Sequence, residues 1–277
     1  MNYRHSYHAG NFADVFKHVV MLELLHSLRQ KESGFYYLET HAGRGCYDLS
    51  SVEAEKSKEY LTGIARVMTE PHPPSAMNTY LSVIKQLNPS SQIKRYPGSP
   101  YLARALLRPQ DRMVLCELQT DEANALRHLF RQDKQISIHH QEGYLGLRAF
   151  IPPRERRGLV MIDPPYEKHD DMTQMAKRLA DALTRWETGI YAIWYPIKDK
   201  QHRVRLHRDI TDRIQRPLLA IDFCILPDDV PTFLNGCGML IINPPWQMER
   251  TLTPTLAWLW HTLSVNQQGY YRLSSLT

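Results

Sequence analysis

No run of this sequence approaches the roughly 20 consecutive apolar residues that a membrane-spanning helix needs, and the opening Met1-Asn2-Tyr3-Arg4-His5-Ser6-Tyr7-His8 has no apolar secretory core. These absences predict a cytoplasmic protein with no membrane partner. Cysteine is scarce. Cys46, Cys116, Cys224 and Cys237 are scattered, with no Cys-x-x-Cys pair, which argues against a disulfide framework and a structural zinc site. The last three lie in apolar stretches and are expected to be buried free thiols. Glycine and proline together make 31 of 277 residues, too few for a collagen-like or low-complexity chain. There is no internal repeat and no His-Glu-x-x-His zinc motif. No sign of charge dominates: a net charge of +5 permits a polyanionic partner without demanding one.

What is present is globular. Hydrophobic residues make up 43% and charged residues 23%, and the length suffices for a real core. Nothing requires more than a monomer. Phe12, Val15, Phe16, Val19, Leu22, Leu25 and Leu28 recur at helical spacing, so 11–30 reads as a helix capped by Asn11. Apolar runs at 35–40, 113–118, 136–139, 158–162, 190–194, 219–226 and 238–242 read as strands, with helical stretches at 121–132, 170–185 and 202–214. Such alternation predicts an α/β, Rossmann-like fold: a mostly parallel sheet of about seven strands, covered on both faces. Residues 49–96 break the rhythm with two helical patterns, near 54–68 and 76–87, and no strand signal. They are expected to form a small helical insertion subdomain in a core built from 1–48 and 97–277.

Three motifs carry chemistry. Glu39-Thr40-His41-Ala42-Gly43-Arg44-Gly45 ends the first strand in a nucleotide-type turn, where glycine admits positive φ and close approach of a ligand. Glu117 ends the second strand, where an acid can accept hydrogen bonds from ribose hydroxyls. It follows Gly43 by 74 residues rather than the usual ~20, a gap the insertion explains. The sharpest signal is Ile162-Asp163-Pro164-Pro165-Tyr166. A buried strand runs into an acid, two prolines that fix an extended backbone and remove two donors, and an aromatic ring. An exocyclic amine offers two N–H donors to such an acceptor-rich corner, and Tyr166 can stack on a flipped base.

Asp163-Pro164-Pro165-Tyr166 with Gly-x-Gly after the first strand resembles the S-adenosylmethionine-dependent amino-methyltransferases. More specifically, the chain resembles the bacterial 23S ribosomal RNA (adenine-N6) methyltransferases of the large-subunit methyltransferase J family. The resemblance covers nearly the whole chain. It rests on Tyr3-Arg4-His5-Ser6, His8-Ala9-Gly10-Asn11, Ala13-Asp14-Val15, Lys17-His18, Thr40-His41-Ala42-Gly43, Pro97-Gly98-Ser99-Pro100, Tyr195-Pro196 and Asn243-Pro244-Pro245-Trp246 besides the acidic motif. It implies S-adenosyl-L-methionine as cofactor and 23S ribosomal RNA as partner. By matching position it implies cofactor contacts at His18, His41, Ser99, Glu117, Gly143 with the preceding Glu142, and Asp163, and an RNA contact at Tyr3. Glu142 departs from the family pattern, which has Asp there. Asp163 and the Pro164 carbonyl would hold the target amine, with Tyr166 stacked on the base.

Asn243-Pro244-Pro245-Trp246 is a rival copy of the motif. In a methyltransferase-type sheet its strand runs antiparallel to the others, which puts it on the wrong rim and makes it a structural turn capped by Trp246. His5, His8, His18 and His41 lack the ordered acid of a metal motif, and methyl transfer from a sulfonium needs no metal. Arg4 and His5, among Tyr3, Tyr7 and His8, mix aromatic and basic groups in the manner of a single-strand contact. A second basic run, including Lys198 and Arg203, follows the strand end at Tyr195-Pro196 and is expected to grip phosphates. Arg154, Arg156 and Arg157 lie at the opposite strand end and read as structural. A DNA adenine-N6 methyltransferase and a non-catalytic nucleic-acid binder on the same fold remain the alternatives.

Overall fold

The computed structural model describes residues 4–90, 92–167, 171–198, 200–228, 230 and 234–276. A short 3-10 turn at His5–Tyr7 leads through Gly10, in the left-handed region at φ +79°, into helix α1 (Phe12–Arg29). The Asn11 side chain accepts from the Asp14 amide at 2.9 Å and caps the helix, as its position predicts. Fourteen of the eighteen residues of α1 are buried, so it is a central helix rather than an amphipathic surface one. Asp14, Lys17 and His18 are therefore buried charged or polar groups that need partners.

The remaining elements follow in order: β1 (Tyr36–Glu39), β2 (Cys46–Asp48), α2 (Val52–Ser57), α3 (Glu59–Thr62), α4 (Ile64–Thr69), α5 (Asn78–Leu87), β3 (Arg95–Pro97), α6 (Ser99–Leu106), β4 (Arg112–Glu117), α7 (Thr120–Leu129), β5 (Ile136–His140), α8 (Gly143–Phe150), β6 (Gly158–Ile162), α9 (Asp171–Arg185), β7 (Ile190–Ile197), α10 (Lys200–Thr211), β8 (Leu218–Cys224), β9 (Gly236–Ile242), α11 (Met248–Leu263) and β10 (Tyr270–Leu276). Eight strands form one sheet in the order β10-β8-β9-β7-β6-β1-β4-β5. The strands β5, β4, β1, β6 and β7 are mutually parallel, whereas β9 runs antiparallel to β7 and β8, and β10 antiparallel to β8. The strand order reverses at β1, between β4 and β6, which opens a crevice at the carboxyl ends of those strands. All seven expected strands are present. The eighth, β10, is a half-exposed edge strand whose Arg272, Ser274 and Ser275 hide any apolar run.

Segment 49–96 is helical but not strand-free, because β3 begins at Arg95 and pairs antiparallel with β2 in a ribbon that closes the neck of the insertion. The single helix expected at 54–68 is three short ones, broken at Lys58 (φ +54°) and Gly63. A side chain at Gly63 would collide with the Gly10 carbonyl, so that break is where the insertion meets the start of α1. Ala54, Ile64, Val67, Met77, Tyr80 and Ile84 join the same apolar core as α1, α6 and α11. The insertion is thus a wall of the main core. Cys116, Cys224 and Cys237 are buried free thiols. Among the described residues, no helix is long and apolar enough to cross a membrane.

Candidate active site

The crevice at the ends of β1, β4 and β6 gathers most of the residues singled out above. Asp163 follows β6 directly, and its Oδ2 accepts from Lys17 Nζ at 2.7 Å. Lys17 also pairs with Asp14 at 2.9 Å, and Asp14 takes His5 Nε2 at 2.9 Å and the Gly10 amide at 3.0 Å. A continuous chain His5–Asp14–Lys17–Asp163 therefore runs from the N-terminal turn into the crevice. Burial alone would lower the Lys17 ammonium and raise the Asp14 carboxyl. The opposite charges override it, holding Lys17 well above and Asp14 well below their usual ranges.

At the end of β1, Glu39 is buried between the Tyr37 hydroxyl, which donates at 2.8 Å, and the Ser99 hydroxyl, which donates to its other oxygen. Burial raises its carboxyl to about 8. His18 is buried against Tyr96, its Nδ1 2.9 Å from that hydroxyl, which in turn meets the Tyr80 hydroxyl at 2.9 Å. Burial lowers His18 to about 3, so it is a neutral imidazole at physiological pH. His41 bonds the Thr40 hydroxyl through Nδ1 at 2.8 Å and meets the Tyr144 ring edge-on at 5.5 Å. Burial lowers its pKa too.

Glu117, at the end of β4, accepts from the Gly43 amide at 2.8 Å and the Gln119 amide at 2.7 Å. Gly43 has φ +62°, and a side chain there would meet the Tyr47 hydroxyl. Gly143 begins α8 so close to the Thr40 carbonyl that no other residue fits. Glu142 caps that helix: its carboxylate oxygens accept from the Tyr144 and Leu145 amides, each at 2.9 Å. The side chain is thus held by backbone contacts at its own helix.

Tyr166 has the left-handed φ of +48°, and its hydroxyl donates to the Trp194 carbonyl at 2.5 Å. A strained backbone and a fixed ring beside an acid are features that concentrate at functional sites. The rival motif lies elsewhere. The Asn243 amide donates to the Glu187 and Gly189 carbonyls, both at 2.8 Å, just before β7 and hence at the amino ends of the parallel strands. Trp246 does not cap that turn; it is 89% exposed.

The family described as "Ribosomal RNA large subunit methyltransferase D, RlmJ" matches residues 32–277. Two proteins named Ribosomal RNA large subunit methyltransferase J are similar along the full length. One, from Escherichia coli (strain K12), is 41% identical over 99% of this chain and 98% of its own. The other, from Haemophilus influenzae, is 40% identical over 100% and 99%. A crystal structure of a Legionella pneumophila protein superposes with a TM-score of 0.87 at 36% identity, covering 98% of both chains. The chain belongs to the RlmJ family. It is thus an enzyme of the ribosomal RNA large subunit methyltransferase class.

In this RlmJ-family chain His41, Gly43, Ser99, Glu117, Gly143, Asp163, Pro164 and Tyr166 lie at or beside the ends of β1, β4 and β6, while His18 is buried on α1 against Tyr96. The crevice does not include Arg203. That side chain is only 5% exposed and lies among Asp222, Asp228 and the Tyr270 hydroxyl, so an expected phosphate contact is instead a buried structural cation. Lys198 is exposed at the end of β7, on the rim of Asp163. Arg4 is largely exposed and pairs loosely with Glu53 at 3.9 Å, while His5 turns inward to Asp14. Tyr3 lies outside the described residues. Lys17 and Asp14 had no role assigned from the sequence, and Glu39 stood only as the acid that opens the nucleotide-type turn. The available signal was an acid and a lysine in the first turns of an otherwise apolar helix and an acid at the end of a buried strand.

Proposed function

We propose that the chain methylates the exocyclic N6 amine of an adenine in 23S ribosomal RNA, with S-adenosyl-L-methionine as methyl donor. The observation that carries this reading is Asp163. Its strand delivers it to the crevice rim beside two prolines and a fixed tyrosine ring, Lys17 holds Oδ2, and Oδ1 has no hydrogen bond among the described residues. The surrounding groups fit the cofactor. Gly43 allows close approach of backbone, the Glu117 carboxylate has lone pairs beyond its two amide contacts for ribose hydroxyls, and Ser99 and the neutral His18 offer uncharged polar contacts. When bound, the sulfonium supplies an electrophilic methyl group.

The protein's own work is orientation. An adenine amine is a poor nucleophile because its lone pair is delocalised into the ring. Asp163 Oδ1 and the Pro164 carbonyl accept its two N–H bonds, which turns the lone pair toward the methyl group for in-line attack. Positioning of this kind contributes most of the rate in such a transfer. Asp163 or a water then takes the proton. Tyr166 stacks on the flipped base, and its bond to Trp194 fixes the plane of that platform. Lys198, Arg4 and Tyr3 are the RNA contacts in this reading. His5 acts through Asp14 and Lys17.

The test is incubation with radiolabelled S-adenosylmethionine and, separately, unmodified 23S RNA, 16S RNA and adenine-rich duplex DNA. Label recovered from 23S RNA as N6-methyladenine is the expected outcome. Label in DNA alone would make the chain a DNA adenine methyltransferase. Cofactor binding without transfer to any nucleic acid would make it a binder on this fold.

A further inference from the structure

The N-terminal turn and the helical insertion are joined by a cluster of direct contacts. Glu59, the first residue of α3, takes His8 Nδ1 on both oxygens at 2.9 and 3.1 Å, and the Asn11 amide donates to the same carboxylate at 2.9 Å. The Ser57 hydroxyl donates to the Tyr7 carbonyl, and the Ile64 amide donates to the Gly10 carbonyl at 2.8 Å. Gly63 and Gly10 have no room for a side chain where these segments touch. So 7–11 lies on α2, α3 and α4, and this stretch carries His5 to Asp14 and directs Arg4 outward.

We propose that the insertion serves the reaction by holding the N-terminal arm, and that Glu59 is the positioning residue through which it does so. The inference rests on the methyltransferase reading above. A carboxylate cannot itself attract RNA phosphates. A negative charge at an RNA-facing surface weakens binding, so its removal should tighten RNA if Glu59 had no further role. The arm-holding role predicts the opposite sign. Without Glu59 the arm is released, Arg4 is no longer presented, and RNA binding must pay for ordering the arm.

The experiment compares wild type, Glu59→Ala, His8→Ala, the double variant and Glu59→Gln, all as full-length chains. Readouts are KM and kcat on 23S RNA, calorimetric binding of S-adenosylhomocysteine, and hydrogen–deuterium exchange of residues 5–11. Glu59→Ala should raise the RNA KM about tenfold, the scale of one lost charge-assisted hydrogen bond. Its kcat should change less, and S-adenosylhomocysteine affinity should stay within about twofold because Glu59 is not among the crevice groups. In the double variant His8→Ala should add less to Glu59→Ala than it costs alone, since the two substitutions share the His8–Glu59 contact. Glu59→Gln keeps an acceptor oxygen and should recover part of the KM. Exchange of 5–11 should rise in Glu59→Ala. It reads the clasp itself and stands even if 23S RNA proves to be the wrong substrate, an error shown by a wild type that transfers nothing to it. Unchanged exchange, a lowered RNA KM, or additive effects of the two single variants would overturn the proposal.

Discussion

Lys17 shows how one residue couples a helix to a motif far along the chain. Its ammonium is almost fully buried and lies between Asp14 and Asp163. Removing one partner of a buried charge group costs about 3–5 kcal/mol. Lys17→Met should therefore lower both the melting temperature and kcat, the latter by about 100-fold or more through the lost hold on Asp163. Calorimetry and single-turnover kinetics check both. In the proposed mechanism Tyr166 makes two separable contributions. Stacking of a base on its ring is worth about 1–3 kcal/mol, and the hydroxyl bond to Trp194 about 0.5–1.5 kcal/mol. Tyr166→Phe should then lose about 2–10-fold in kcat/KM and Tyr166→Ala clearly more. Equal losses would remove the stacking role. Glu39 gives a pH signature. Its carboxyl is raised by burial to about 8, above the unfolded value of 4.5. The fold favours the protonated form, so this contribution is fully present below pH 4.5 and is lost as pH rises through about 8. Glu39→Gln should flatten the fall in melting temperature between pH 6 and 8.5, as scanning calorimetry at several pH values would show.

At the scale of elements, strands were legible in the sequence wherever both faces are buried. The runs that became β6, β8 and β9 are buried at every position, and such strands read as continuous apolar stretches. The edge strand β10 and the ribbon β2–β3 were not legible, because one face meets solvent and the runs are short or polar. Helix α1 was legible from period and cap together. Asn11→Ala should destabilise by about 1 kcal/mol for the cap. Loss of its amide bond to Glu59 should add to this and raise exchange in 5–11, which a capping effect confined to the first turn of α1 would not do. The break at Gly63 was illegible for a different reason. Glycine inside a helical pattern signals a close approach, but the approaching carbonyl of Gly10 lies 53 positions away in sequence. His8 offers a check on the same contact. The bond to Glu59 raises the His8 pKa and lowers that of Glu59, so the clasp is strongest between the two values and weakens as pH rises through the first or falls through the second. In Glu59→Gln, NMR titration should find the His8 pKa lower than in wild type.

For the molecule as a whole, topology puts the two copies of a repeated motif on opposite rims of the sheet. Asp163 ends a parallel strand, while Asn243 ends the antiparallel β9 on the other rim. That much followed from the expected sheet, and the position of the motif residues around the crevice was legible because strand ends carry them. The pairing of Lys17 with Asp163 across 146 residues was not, since it depends on how α1 packs under the sheet. Nor was the fate of Arg203, which the buried Asp222 on β8, with Asp228 and Tyr270, explains. A basic run in sequence does not say which of its members faces inward. The most direct test of the account pairs the two rims. Asp163→Asn, which keeps the shape of the side chain, and Asn243→Ala are assayed for transfer of labelled methyl from S-adenosylmethionine to 23S RNA, with S-adenosylhomocysteine binding measured alongside. The account predicts that Asp163→Asn loses transfer by several orders of magnitude while still binding S-adenosylhomocysteine, and that Asn243→Ala is less stable yet transfers normally per folded molecule. Retained transfer by Asp163→Asn, or its loss in a folded Asn243→Ala, would contradict it.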